Sequence, residues 1–134
     1  MHRGRRADAP IVLLVEDEPN MWLKIFRVLE TAGYAVWRAA DLSEALKVLN
    51  VLPVQLVLSK AALPRGDAST LLTAIRRQPR HATLPVVLMS APGDVRGDVD
   101  APTFVARPGE TGRLLDMVRS QLGRSEDPAE PAAI

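Results

Sequence analysis

The stretch "IVLLVEDEP", residues 11–19, decides how the rest of the chain is read. Ile11 to Val15 are apolar at every position, with no polar alternation. A strand of that kind has no solvent face; it belongs in a parallel sheet covered by helices on both sides. Glu16, Asp17 and Glu18 then end the run, placing carboxylates at the exit of a buried strand. Moving outward, "MWLKIFRVLETAG" (21–33) predicts a helix with Met21, Ile25, Val28, Leu29 and Ala32 buried and Gly33 as its stop. "YAVWRAA" (34–40) is a second strand. "DLSEALKVLN" (41–50) is a second helix, opened by Asp41 with Glu44 three residues on. "VQLVLS" (54–59) is a third strand and "TLLTAIRRQ" (70–78) a third helix, capped by Asp67 or Ser69, with Leu71, Leu72 and Ile75 inward. "LPVVLMS" (84–90) and "FVA" (104–106) are the fourth and fifth strands. "TGRLLDMVRSQLG" (111–123) is a last helix with Leu114, Leu115, Val118 and Leu122 on one stripe. This alternation predicts an α/β fold, a doubly wound five-stranded parallel sheet. The expected order is the flavodoxin-like 2-1-3-4-5, which belongs to that class of folds in general.

One segment breaks the rhythm. "APGDVRGDVDAPT" (91–103) carries two prolines, two glycines and a repeated Gly-Asp-Val, so a fourth helix between strands four and five is expected to be short or missing. The repeat lacks the acid spacing and closing glutamate of a calcium-binding loop.

Composition narrows the function classes. The 134 residues are enough for one domain, expected over 10–123, between a disordered basic tail at 1–9 and a disordered tail at 124–134. No cysteine is present, which excludes disulfides, thiolate metal sites and thiol catalysis and is consistent with a cytoplasmic location. Lys and Arg number 17 against 16 Asp and Glu, far from the concentrated basic face of a nucleic-acid binder, and Arg3, Arg5 and Arg6 sit on the tail. No apolar run reaches the length of a membrane span.

In open α/β sheets ligands gather outside the carboxyl ends of the strands. Those ends carry Glu16 and Asp17, Lys60, Ser90, and Arg107 before Pro108. With these residues in place, the sequence resembles the CheY-like receiver domain of bacterial two-component response regulators over about residues 10–123. The resemblance rests on "IVLLVEDEP", "TAGYAV", "LPVVLMSA" and "FVARP", together with the loop "KAALPRGDAS" after strand three, in order and at plausible spacings. It implies phosphoryl transfer from a histidine kinase to an aspartate at the end of strand three, with magnesium held by that aspartate and an acidic pair. Carried over residue by residue, Glu16 and Asp17 match the acidic pair, Ser90 the switch hydroxyl, Phe104 the switch aromatic, and Arg107 the lysine of strand five.

The phosphoacceptor position departs from this pattern. An ungapped match of "VQLVLSKAALPRGDAS" puts Lys60 there. Lys60 is expected to pair with Glu16 or Asp17 and stand in for both metal and acceptor, so that no metal or cofactor is expected and magnesium binding is doubtful. The chain then reads as a degenerate, or pseudo-, receiver of a phosphorelay. It would be no enzyme and would work through contact with signalling proteins, a histidine kinase or a downstream effector, as a monomer or homodimer. The eleven residues after the last helix are too few for an output domain, so the chain is expected to be a stand-alone module or part of a larger protein. Simpler readings stand beside these. Glu16 and Asp17 suit a helix N-terminus, Lys60 can extend its head to water, and Arg107 can be a surface cation. Two rival functions remain: an active regulator phosphorylated at another residue, and a small anion-binding module of flavodoxin type. The latter lacks a Gly-rich loop after strand one. Trp22 and Phe26 lie off the expected stripe of the first helix. They are expected either to form an exposed partner surface or to pack under the final helix or the N-terminal tail.

Overall fold

The computed structural model describes residues 8–63, 66–90, 103–105 and 111–126, with 66–67, 103–105, 111 and 124–126 described by backbone alone. The elements in chain order are β1 (Ile11–Val15), α1 (Pro19–Thr31), β2 (Ala35–Ala39), α2 (Leu42–Val51) and β3 (Leu56–Lys60). A two-residue hairpin follows, β4 (Ala62–Leu63) with β5 (Gly66–Asp67), leading into α3 (Ala68–Arg77). Next come a 3₁₀ turn (Pro79–His81), β6 (Val86–Ser90), β7 (Thr103–Val105) and α4 (Thr111–Glu126). The main sheet runs β2-β1-β3-β6-β7 with every pair parallel. With the hairpin set aside, this is the expected order 2-1-3-4-5.

Side-chain alternation on the central strands builds a core on each face. Leu13 and Val15 of β1 join Ala45 and Leu49 of α2 and Leu71, Leu72 and Ile75 of α3. Val12 and Leu14 point the other way, to Ile25 and Leu29 of α1 and Leu114, Val118 and Leu122 of α4. Each Leu, Ile or Val among them, fully buried, contributes on the order of 1.5–3 kcal/mol. Burial of this size outweighs any single turn or cap in holding the strand ends in register.

The helix ends follow local chemistry. Gly33 adopts φ 102 after α1, and the chain reverses through hydrogen bonds from Gly33 N–H to Glu30 O (2.9 Å) and Tyr34 N–H to Leu29 O (3.2 Å). Asp41 caps α2, its carboxylate accepting the Glu44 N–H at 2.9 Å, while Glu44 accepts the Ala40 N–H at 2.7 Å.

The structure corrects several expectations. α1 starts at Pro19, two residues early, because Glu18 caps it and proline suits a first helical turn. Its inward face is then Trp22, Ile25, Phe26 and Leu29, an i, i+3, i+4, i+7 set, while Met21 is 37% exposed. The aromatic pair is therefore partly buried against the core, and not exposed as one expectation had it. α3 starts at Ala68, which leaves Ser69 inside the helix and not at its cap. α4 runs to Glu126, three residues into the expected tail; one glycine at 123 costs a helix only about 1 kcal/mol, and Pro128 disfavours helix in the residue before it. The shortened fourth helix, Arg107 and most of both tails fall outside the described residues.

Candidate functional site

All five main strands are parallel, so their carboxyl ends share one edge of the sheet. β1 and β3 are in register at Val15 and Ser59. One step further on each strand places Glu16 beside Lys60, across a spacing of about 4.8 Å. Glu16 extends the β1 ladder by one more bond, its N–H donating to Ala39 O at 3.0 Å.

The three consecutive acids take three different roles. Glu16 is 3% exposed, and its Oε2 accepts the Glu18 N–H at 3.0 Å. Glu18 turns outward and caps α1, Oε1 accepting the Met21 N–H at 2.8 Å. Asp17 takes the ammonium: Lys60 Nζ donates to Asp17 Oδ1 at 2.9 Å and stands 3.8 Å from Glu16 Oε2. The Lys60 and Asp17 side chains are 36% and 34% exposed, so this pair lies at the mouth of the site with Glu16 behind it.

The proton affinities follow from that arrangement. Burial pushes the Glu16 carboxyl above its ordinary range, against the opposing pull of the Glu18 N–H and Lys60. The hydrogen bond from Lys60 holds Asp17 below the usual carboxylate range. The same bond, with the field of Glu16, raises Lys60 above its ordinary value although partial burial opposes this. Lys60 is thus held as an ammonium, a poor nucleophile, which argues against Schiff-base chemistry.

The other residues singled out from the sequence take varied places. Ser90 is the last residue of β6, buried, one step beyond Met89, which pairs with Lys60. Ser59 is fully buried and its hydroxyl donates to Lys60 O at 2.9 Å, on the other face of β3 from the ammonium. Phe104 is described by its backbone, which pairs with Met89 in β7. Arg107 lies outside the described residues. The structure therefore brings Glu16, Asp17 and Lys60 together and sets Ser90 at the same edge. Among the described residues no group of three or more His, Cys, Asp or Glu is placed to hold a metal ion.

Sequence reading missed the division of labour among the acids. The signal was present, since an acid directly before a proline is a helix-start pattern. It also missed what surrounds the α1 aromatics. Trp22 and Phe26 stack at 4.9 Å between centroids, and the Arg38 guanidinium of β2 lies 5.1 Å from the Trp22 ring. Trp22 Nε1 is buried with no hydrogen-bond partner among the described residues.

Comparison with known proteins agrees with this architecture. Residues 12–119 match the family model of the response regulator receiver domain. The response regulator Rre1 of Synechocystis sp. is 31% identical over 122 residues, covering 86% of this chain and 52% of that protein. The DNA-binding dual master transcriptional regulator RpaA of the same organism is 28% identical over 122 residues, covering 87% of this chain and 51% of that protein. This chain thus spans about half the length of these curated relatives. Among solved structures, a protein of Chloroflexus aurantiacus described as a response regulator superposes with a TM-score of 0.81 at 30% identity. That match covers 87% of this chain and all of the other.

Proposed function

The chain belongs to the response regulator receiver family, and from that premise we propose that it is a degenerate receiver, signalling through protein contacts without phosphorylation of its own. The observation that carries the reading is the 2.9 Å contact of Lys60 Nζ with Asp17 Oδ1 at the carboxyl end of β3. By the resemblance in sequence, this is the position where receivers carry the aspartate that accepts phosphate. An ammonium there cannot form an acyl phosphate, and its charge already neutralises the carboxylates beside it. A hard divalent cation takes several oxygen ligands. The described residues offer two carboxylates and an ammonium, a set that does not fit magnesium.

Among the described residues, the hydroxyl next to Lys60 in sequence is no substitute acceptor. Ser59 is sealed in the sheet with its hydroxyl committed to Lys60 O. On this reading the molecule performs no chemistry. Its partners are signalling proteins, a kinase or an effector, and the cytoplasm is where such partners meet it.

Intact-mass measurement after incubation with acetyl phosphate and magnesium tests the reading. The wild type is expected to stay at its own mass. Gain of one phosphoryl group by the wild type would overturn the proposal and locate an acceptor elsewhere.

A further inference from the structure

At the opposite edge of the sheet, the C-terminal halves of α2 and α3 enclose a cleft of about 280 Å³. Its floor is apolar, made by Leu46 and Leu49 of α2 and Ala74 and Ile75 of α3. Its rim is polar, made by Asn50, Arg77 and Gln78, and His81 forms one wall. We propose that this cleft binds a small organic acid, its apolar body on the floor and its carboxylate at Arg77 and the His81 ring.

The wall is built. His81 is only 8% exposed, and the turn that carries it is tied down by Arg76, whose Nη1 donates to His81 O (3.2 Å) and Leu84 O (2.8 Å). A further tie runs from Arg80 Nη2 to Asn50 Oδ1 at 3.4 Å, joining the turn to the end of α2. Among the described residues the His81 ring makes no hydrogen bond, and neither ring nitrogen is sealed away from solvent. A group entering the cleft can therefore reach it. Burial and the Arg80 charge lower the His81 pKa, so at neutral pH the ring offers one donor and one acceptor.

Charge decides the class of ligand. Among the described residues no Asp or Glu lines the cleft. The C-termini of α2 and α3 each bring roughly half a negative charge. Against them stand the full charges of Arg77 and, on the adjoining turn, Arg80, and Arg77 makes no ion pair among the described residues. The balance is positive, so an anion is favoured over a cation. The volume lies just below the range of drug-sized small-molecule sites, roughly 300–1,000 Å³, which suits a small ligand, and the apolar floor favours an acid with a hydrocarbon or aromatic body over inorganic phosphate.

The probe is 3-phenylpropionate, titrated into the ¹⁵N-labelled full chain, with 3-phenylpropan-1-ol as the uncharged control. Saturable amide shifts are expected at Leu49, Asn50, Gln78 and His81. Arg77→Gln, at an exposed position that leaves the fold intact, should weaken binding at least about tenfold, the low end of the loss for one hydrogen bond to a charged group. Equal affinity for the alcohol, an unchanged affinity in Arg77→Gln, shifts confined to other residues, or no saturation at millimolar concentration would each overturn the proposal.

Discussion

Lys60→Met keeps the apolar stem of Lys60 and removes its charge, so it isolates what the ammonium does for the acidic pair. At 3.8 Å, Lys60 attracts Glu16 by about 4 kcal/mol at an effective dielectric near 20. That figure is an upper limit, because more than a third of Lys60 is exposed and water screens it. The contact with Asp17, one-third exposed on both sides, adds at most about 1 kcal/mol. A net loss of about 1–2 kcal/mol near neutral pH is expected, most of it from Glu16 left buried without a counter-charge. For a domain of this size that lowers Tm by about 3–8 °C. The loss should grow with pH. Burial already holds the Glu16 pKa above its unfolded value, and losing Lys60 raises it further. A raised carboxyl pKa destabilises the fold increasingly as pH climbs from the unfolded pKa through the folded one. Asp17 acts in the same direction: its lowered pKa marks stability present above its unfolded value and lost as pH falls through the folded one, and the variant lacks it. Urea unfolding followed by tryptophan fluorescence at about pH 4.5 and about pH 8 measures the difference. Adding Glu16→Gln to Lys60→Met should recover most of the loss. An equal loss at both pH values, or no recovery in the double variant, would refute the account.

Lys60→Asp replaces the ammonium with a third carboxylate; the variant should lose stability without metal and regain about 1.4 kcal/mol at magnesium tenfold above its Kd, read as a rise in the urea midpoint that the wild type does not show. Gly33→Ala should cost about 1 kcal/mol by thermal unfolding, all of it from the backbone, because φ is 102 and an added Cβ meets nothing within 4 Å. Trp22→Phe keeps the stack on Phe26 and removes a buried N–H without a partner, so stability should stay level or rise by up to about 1 kcal/mol. A loss of more than about 1 kcal/mol would mean that the packing and the Arg38 contact given up with the indole outweigh relief of the unpartnered N–H. Asp41→Ala removes the cap of α2 and should cost about 1 kcal/mol in the same measurement.

Much of the architecture was legible because it depends on periodicity. Strands apolar at every position announced a sheet covered on both faces, and β1, β3 and β6 end within a residue or two of where their apolar runs end. Lys60 was placed at a strand exit for the same reason. What could not be read depended on choices between near-equal local options. Whether α1 begins at Pro19 or Met21 rotates its buried face by the two intervening residues, and that rotation decides whether Trp22 or Met21 faces inward. Which acid takes the ammonium depends on the direction each side chain leaves the end of β1, a property of three-dimensional packing. The burial of His81 was also hidden, since its turn is held by an arginine five residues back in sequence.

The alternation along β1 has a consequence for how substitutions combine. Leu13 and Val15 serve one core and Val12 and Leu14 the other, so adjacent positions report to helices on opposite sides of the sheet. Cavities made at neighbouring positions 13 and 14 should therefore add almost independently, whereas cavities at 13 and 71, distant in sequence, should couple. The two faces could be repacked separately by design, with the strand as a partition between compartments.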